Sequence, residues 1–204
     1  PSRTWFRGEA DGAELDLESY IEFAADQLGK YHGEEPSLYR DFRRGNRDLA
    51  TLLLADLSLS TDSWVNNHSR VVDVIRESLH LFSDALSRTG DRFSLYGFSS
   101  LNRDHVRFHQ IKTFEEPFSD TIRGRIEAVK PGYYTRMGAA IRHATSLLVK
   151  QPASRRILLL LTDGKPNDLD KYEGRYGIED TREAIFEAKR VGLYPFCVTI
   201  DEEG

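Results

Sequence analysis

The stretch that decides the fold reads Leu52-Leu-Leu-Ala-Asp-Leu-Ser-Leu-Ser-Thr-Asp62. Its apolar start is typical of a strand buried on both faces of a parallel sheet. Asp56 ends this strand, and hydroxyls follow at alternate positions, Ser58 and Ser60. One turn of chain therefore presents three oxygen ligands, the type that Mg²⁺ prefers. Aspartate and serine are also common in turns and helix caps, so this stretch alone leaves a metal site undecided.

Short apolar runs alternate with amphipathic stretches along the rest of the chain. The predicted strands cover residues 51–57, 92–98, 156–162 and 194–200, and the predicted helices cover residues 68–88, 137–149 and 180–190. This alternation predicts an α/β fold with a Rossmann-like, doubly wound, mostly parallel sheet and helices on both faces. Residues 105–111 alternate in polarity and indicate an additional edge strand.

The polarity of the chain changes near residue 50. Residues 1–50 are polar and charged, apart from an amphipathic stretch at residues 15–28 that predicts a short helix. We therefore expect an N-terminal helical and polar extension over residues 1–50 and one main domain over residues 51–204. The single cysteine, Cys197, lies in an apolar run, so we expect a buried thiol and no disulfide.

Two further segments carry oxygen ligands. Thr135 follows the glycine-bearing run Pro131-Gly-Tyr-Tyr-Thr135, just before a predicted helix, and Asp163 follows the apolar strand that ends at Thr162. Doubly wound sheets bind ligands beyond the carboxyl ends of their strands. We therefore expect both residues to meet the Asp56 turn at one edge of the sheet.

This combination of DxSxS, a distant threonine and a distant aspartate resembles the metal-ion-dependent adhesion site of the von Willebrand factor A domain. The resemblance covers about residues 51–201. It implies that hydroxyls of Ser58, Ser60 and Thr135 coordinate the ion, while Asp56 and Asp163 act largely through bound waters. One coordination position would remain for an Asp or Glu carboxylate of a partner. The implied ion is Mg²⁺, with Mn²⁺ or Ca²⁺ as alternatives.

A narrower resemblance extends over the segments 47–62, 131–143 and 162–177. They look like the carboxy-terminal domain of the NorD and CbbO proteins, which pair with a hexameric AAA+ ATPase of the MoxR class. The resemblance implies an adaptor that links this ATPase to a target, nitric oxide reductase for NorD or rubisco for CbbO, and leaves the choice between them open. The family's domain continues into a further strand and helix, so the resemblance implies a domain shortened at its carboxyl end.

Polar and aromatic residues follow Asp163 and are candidates for partner binding. The segment from Asp168 to Gly177 includes Tyr172 and Arg175, and Arg136 directly follows Thr135. Tyrosine and arginine favour interfaces, so Arg136, Asp168, Tyr172 and Arg175 are candidates for a docking rim. A solvated connection is the alternative for this segment.

The sequence gives less support to the hypothesis that the chain is an enzyme. The chain has no GxxxxGK[ST] phosphate loop, no GxGxxG after a strand and no GxSxG around its serines. We therefore expect a binding module whose ATPase is a separate subunit. A Mg²⁺-dependent, phosphatase-like hydrolase is the main alternative, because aspartates at strand ends also serve phosphoryl transfer. His105 and His109 share one face of the edge strand, but two histidines are weak evidence for zinc.

Charge and hydropathy bound the remaining functions. A formal net charge of -5 argues against general nucleic-acid binding, which needs a concentrated basic surface. The longest apolar runs are far shorter than the roughly 20 residues that span a bilayer, and no secretory signal is visible. We therefore expect a cytoplasmic protein without direct membrane insertion.

Overall fold

The computed structural model describes residues 3–9, 12, 14–27, 37–44, 48–64, 70–164, 166–169 and 172–200. The chain divides into two compact units, residues 1–47 and residues 48–204. The second unit begins at residue 48 rather than at 51, because the first strand of its sheet already starts at Leu49.

The first unit holds a small antiparallel sheet and one helix. Its strands are β1 (Arg3–Glu9), β2 (Glu14–Leu15) and β3 (Tyr39–Arg44), in the order β1-β3-β2. Helix α1 (Leu17–Gln27) lies within the amphipathic stretch that predicts it. The sequence does not predict these strands, because their segments lack a clear apolar alternation and pair across a long separation.

A five-stranded sheet forms the centre of the second unit. Its strands are β4 (Leu49–Asp56), β5 (Arg92–Ser100), β6 (Val106–Lys112), β7 (Arg155–Thr162) and β8 (Leu193–Thr199). They lie in the order β6-β5-β4-β7-β8, and all neighbours are parallel except β6, which runs antiparallel to β5 at one edge. The predicted mostly parallel sheet and its additional edge strand are confirmed.

Helices cover both faces of this sheet, as predicted. They are α2 (Val71–Thr89), α3 (Asp120–Glu127), α4 (Met137–Leu148) and α5 (Gly174–Arg190). Leu52 belongs to the core under α4 and α5, whereas Leu53 belongs to the core under α2 and α3. Successive residues of β4 thus point to opposite faces, and both faces are apolar. Among the described helices, none has the length and apolar character needed to cross a bilayer.

Two helices differ from the sequence prediction. Helix α5 begins at Gly174, not near residue 180. Asp180 therefore lies inside the helix, where its carboxylate accepts hydrogen bonds from the hydroxyl of Tyr172 and from the guanidinium of Arg142. Helix α3 is not predicted at all, since only Ile122 and Ile126 mark its buried face.

Cys197 is exposed, so the expectation of a buried thiol is wrong. It lies on β8, the outer strand of the sheet, which pairs with β7 and with no other strand of the described residues. The apolar side chains Phe196 and Val198 are also 56% and 41% exposed. An apolar run marks a strand, but its place in the sheet decides how much of it is covered.

Candidate metal centre

The first loop of the site begins at the carboxyl end of β4. Asp56 is fully buried there, and its Oδ1 accepts a hydrogen bond from the backbone N–H of Ser58 at 3.0 Å. A 3₁₀ turn, Leu59–Asp62, follows and is closed by the hydroxyl of Thr61, which donates to the carbonyl of Ser58. The Oγ atoms of Ser58 and Ser60 lie 2.9 Å apart. The alternate spacing of the two serines therefore brings their hydroxyls together.

The second loop, residues 131–136, is tied to the first by backbone hydrogen bonds. The N–H of Gly132 donates to the carbonyl of Leu57 at 2.8 Å, and the N–H of Leu59 donates to the carbonyl of Tyr133 at 2.7 Å. The hydroxyl of Thr135 then reaches Oδ1 of Asp56 at 3.4 Å. The structure thus brings Thr135 to the first loop, although the two residues are far apart in sequence.

The third loop follows β7 and completes the arrangement. The hydroxyl of Thr162 donates to Oδ2 of Asp56 at 2.9 Å, and Asp163 is the next residue. Asn167 pairs with Thr135 through two backbone hydrogen bonds of 2.7 and 3.0 Å. All three loops are therefore joined to one another through backbone atoms or through the carboxylate of Asp56.

These loops enclose a cleft of about 480 Å³. Four of the five predicted metal ligands line it, and Asp56 lies buried beneath them. The lining residues are Ser58, Leu59, Ser60, Tyr133, Tyr134, Thr135, Asp163, Gly164 and Asn167. The cleft opens at the carboxyl ends of the parallel strands, which is the usual ligand position in doubly wound sheets.

The electrostatics of the site disfavour two ionised carboxylates without a cation. Burial, helped by the nearby charge of Asp163, raises the pKa of Asp56 to about 6, against the hydrogen bonds from Ser58 and Thr162. Among the described residues, no cluster of three or more His, Cys, Asp or Glu side chains could hold a metal. A cation in this cleft would therefore depend on hydroxyl oxygens as well as on carboxylates. The donor set fits a hard divalent ion, for which oxygen ligands are preferred.

Three of the four predicted partner-binding residues are buried, which corrects their assignment to a docking rim. The exposed fractions of Arg136, Asp168 and Tyr172 are 8%, 3% and 0%. Their polar groups bond to the loops around the cleft instead of facing outwards. Arg175, in the first turn of α5, is exposed and its role in docking stays a prediction.

Asp168 joins the third loop to the loop after β5. Its carboxylate accepts hydrogen bonds from the Ser100 hydroxyl at 2.7 Å and from the Asn102 backbone N–H at 2.9 Å. The guanidinium of Arg136 is also close, with Nε 3.4 Å from Oδ2. Burial raises the pKa of Asp168, but the hydrogen bonds from Ser100, Asn102 and Leu169 outweigh it and hold the pKa below its usual value. Asp168 is therefore an ionised support for the loops.

Tyr172 joins the third loop to both helices on its face of the sheet. Its hydroxyl accepts a hydrogen bond from the backbone N–H of Gly138 at 3.2 Å and donates one to the carboxylate of Asp180. The guanidinium of Arg136 stacks on its ring at 4.2 Å. A Cβ atom on Gly138 would lie 2.1 Å from Oδ2 of Asp180, so a larger residue at this position would displace the Asp180 carboxylate.

Several residues that hold the site together carry no signal in the sequence alone. They are Thr162, Ser100, Asn102 and Asn167, which form hydrogen bonds to partners in other segments. Polar residues directly after predicted strands are a weak guide to this role. His105 lies outside any metal cluster of the described residues, and its Nε2 accepts a hydrogen bond from Nε of Arg107.

Comparison with known proteins agrees with this geometry. The sequence pattern of the von Willebrand factor type A domain matches residues 53–204. The matched region contains all three loops and the whole central sheet beyond the start of β4. The predicted resemblance to this family is confirmed.

Longer relatives resemble the whole chain. Protein NorD from Stutzerimonas stutzeri is 55% identical over 201 residues, which are 98% of this chain and 33% of that protein. Protein NorD from Brucella suis biovar 1 is 46% identical over 203 residues, 100% of this chain and 32% of that protein. The predicted resemblance to NorD is confirmed, and the chain spans about a third of the length of these relatives.

Solved structures share the fold at low sequence identity. The PilB minor pilin from Streptococcus sanguinis matches with a TM-score of 0.59 and 16% identity, over 84% of this chain and 62% of that one. The pilus adhesin SpaC from Lactobacillus rhamnosus GG, in an open conformation, matches with a TM-score of 0.57 and 14% identity, over 76% and 24%. These likenesses concern the fold alone.

Proposed function

Because the chain belongs to the von Willebrand factor type A domain family, we propose that its cleft binds a divalent metal ion that holds a partner's carboxylate. Mg²⁺ is the first choice, with Mn²⁺ and Ca²⁺ as alternatives. The observation that carries the proposal is the convergence of three loops, in which Thr135 and Thr162 both bond to the carboxylate of Asp56. Oxygen atoms from distant segments thus lie close together.

The donor set suits a partner-binding ion. The hydroxyls of Ser58, Ser60 and Thr135 would hold it directly, and the carboxylates of Asp56 and Asp163 would supply charge through bound waters. Neutral hydroxyl ligands leave much of the ion's charge uncompensated, so an incoming carboxylate is strongly attracted. When bound, the ion supplies an electrophilic position for that carboxylate.

We propose that the chain serves as an adaptor rather than as an enzyme. In this proposal it links a hexameric AAA+ ATPase of the MoxR class, a separate subunit, to a target protein. Nitric oxide reductase is the first target to test and rubisco the second, because relatives named NorD cover nearly the whole chain. A phosphatase-like reaction is disfavoured, because Asp56 is fully buried and its two oxygens already accept hydrogen bonds, which leaves it a poor nucleophile.

The first experiment measures metal and target binding with matched serine variants. Ser58→Ala removes a proposed ligand, while Ser63→Ala removes an exposed serine hydroxyl that lies outside the cleft. We expect Ser58→Ala to lower Mg²⁺ affinity in calorimetry by at least about tenfold, as loss of a first ligand should. Capture of nitric oxide reductase or rubisco should fall equally in Ser58→Ala and in wild type with chelator.

Two results would contradict the proposal. Target capture that is unchanged by chelator and by Ser58→Ala would exclude the metal bridge. Turnover of a generic phosphoester by the chain alone, lost in Ser58→Ala but kept in Ser63→Ala, would instead support the hydrolase alternative.

A further inference from the structure

Tyr133 forms part of the cleft wall in an unusual backbone conformation. Its φ is +69°, in the left-handed region that bulky residues rarely adopt. The hydrogen bond from the N–H of Leu59 to its carbonyl holds it there, and Tyr133 lines the cleft together with Ser58 and Thr135. Such a conformation is unfavourable for a bulky residue and persists where the surroundings fix it, often at binding sites.

Arg107, at the start of β6, stacks on this ring. Its guanidinium carbon lies 4.0 Å from the ring centre of Tyr133, so the group stacks on a residue that lines the cleft. Nε of Arg107 donates to Nε2 of His105 at 3.0 Å. The stacking and this bond hold the half-buried guanidinium in one orientation.

Among the described residues, Arg107 has no carboxylate partner and its two terminal nitrogens form no hydrogen bond. Other guanidinium groups near this edge are paired: Arg136 with Asp168 at 3.4 Å and Arg70 with Asp62 at 2.7 Å. An arginine fork with both terminal nitrogens available matches the two oxygens of a carboxylate. Arg107 therefore offers a ready anion position beside the proposed metal.

We propose that Arg107 binds a second carboxylate of the partner and makes the site select a short segment with two acidic residues. One carboxylate would bind the metal, and the neighbouring one would bind the fork of Arg107 across Tyr133. This inference rests on the proposed metal-dependent docking and specifies the partner's chemistry. Arg107 thus acts as a specificity-determining residue.

The test uses the full chain with Mg²⁺ and a set of capped alanine-rich peptides. One peptide carries a single Asp, and the others add a Glu one, two or three positions later. Affinities are measured by NMR titration of backbone amides, which reports weak binding. The variants are Arg107→Gln, Arg107→Lys and the control Arg103→Gln, which removes the same charge from an arginine whose side chain is 78% exposed.

We expect the best two-acid peptide to bind wild type about tenfold more tightly than the single-Asp peptide, as a charge-assisted hydrogen-bonded pair should. Arg103→Gln should keep this advantage and Arg107→Gln should abolish it, with single-Asp affinity unchanged. Arg107→Lys should retain only part, because lysine lacks the fork.

An equal affinity of wild type for both peptide types would overturn the inference. So would an equal loss for both types in Arg107→Gln, which would mean that Arg107 only supports the Tyr133 loop. Failure of the underlying function looks different: peptide binding would then be insensitive to chelator and to Ser58→Ala.

Discussion

The hydroxyl of Tyr172 accepts a hydrogen bond from the backbone N–H of Gly138 at 3.2 Å, across 34 positions of sequence. Gly138 lies three residues beyond Thr135, in the first turn of α4. The same hydroxyl donates to Asp180 of α5. The orientation of the Thr135 loop is therefore fixed from the interior of the domain, at a distance from the cleft.

Replacing Tyr172 with phenylalanine tests this relationship. The variant leaves the Gly138 N–H and the Asp180 carboxylate without their shared partner, so we expect a loss of about 1–3 kcal/mol in the free energy of unfolding. Mg²⁺ affinity should fall as well, because the Thr135 loop loses its support. Urea unfolding and calorimetry measure the two effects. Tyr176→Phe, at a 62% exposed neighbour, should change neither. Equal effects of both substitutions would contradict this role.

Gly138→Ala tests the close approach of α4 and α5. The new Cβ would lie 2.1 Å from Asp180 Oδ2 and 3.0 Å from the Tyr172 hydroxyl, so these two hydrogen-bonded side chains must move. We expect a destabilisation of about 1–3 kcal/mol, as for overpacking in general, measured by thermal unfolding. Gly124→Ala in α3 meets no atom within 4 Å and should stabilise by up to about 1 kcal/mol. If both substitutions stabilise the protein, the packing around Gly138 accommodates a methyl group and the expected overpacking is contradicted.

Asp56 predicts a pH dependence of stability in chelator. Its pKa is raised from 3.8 to about 6, so the stability it contributes is fully present below pH 3.8 and is lost as the pH rises through 6. Asp56→Asn removes this titration, and its advantage over wild type should grow up to about pH 6 and then stay constant. Above pH 7 we expect the free energy of unfolding of Asp56→Asn to exceed that of wild type by on the order of 3 kcal/mol, which corresponds to the size of the pKa shift. Unfolding at several pH values checks this, with Asp104→Asn, at an 88% exposed side chain, as the control.

Asp168 predicts the opposite pH dependence. Its pKa is lowered by the hydrogen bonds from Ser100, Asn102 and Leu169, which outweigh its burial. Its stability is therefore present above the ordinary aspartate pKa and is lost as the pH falls through the lowered value. Asp168→Asn should cost about 1–3 kcal/mol at pH 7, with a smaller cost in acid, where wild type also loses the charge. Chemical unfolding measures it against the same Asp104→Asn control, and a cost that is independent of pH would argue against an ionised Asp168.

Much of the fold can be predicted from the sequence because it depends on local patterns of residues. The apolar runs of β4 and β7 predict buried parallel strands, since such strands need apolar residues on both faces. The DxSxS spacing brings the hydroxyls of Ser58 and Ser60 together through a local turn. The meeting of the three loops also follows from the sequence, because residues after parallel strands lie at one edge of a sheet.

The tertiary structure decided the parts that depend on distant partners. Asp168, Tyr172 and Arg136 look like surface residues in the sequence, yet they are buried because each finds a partner or a stacked ring in another segment. Cys197 looks like a core residue, yet it is exposed because its strand lies at the edge of the sheet. Local sequence determines the periodicity of the strands and helices and the side-chain types in the three loops. Burial and pairing are set by contacts between segments far apart along the chain, and only the assembled fold determines which of these contacts form.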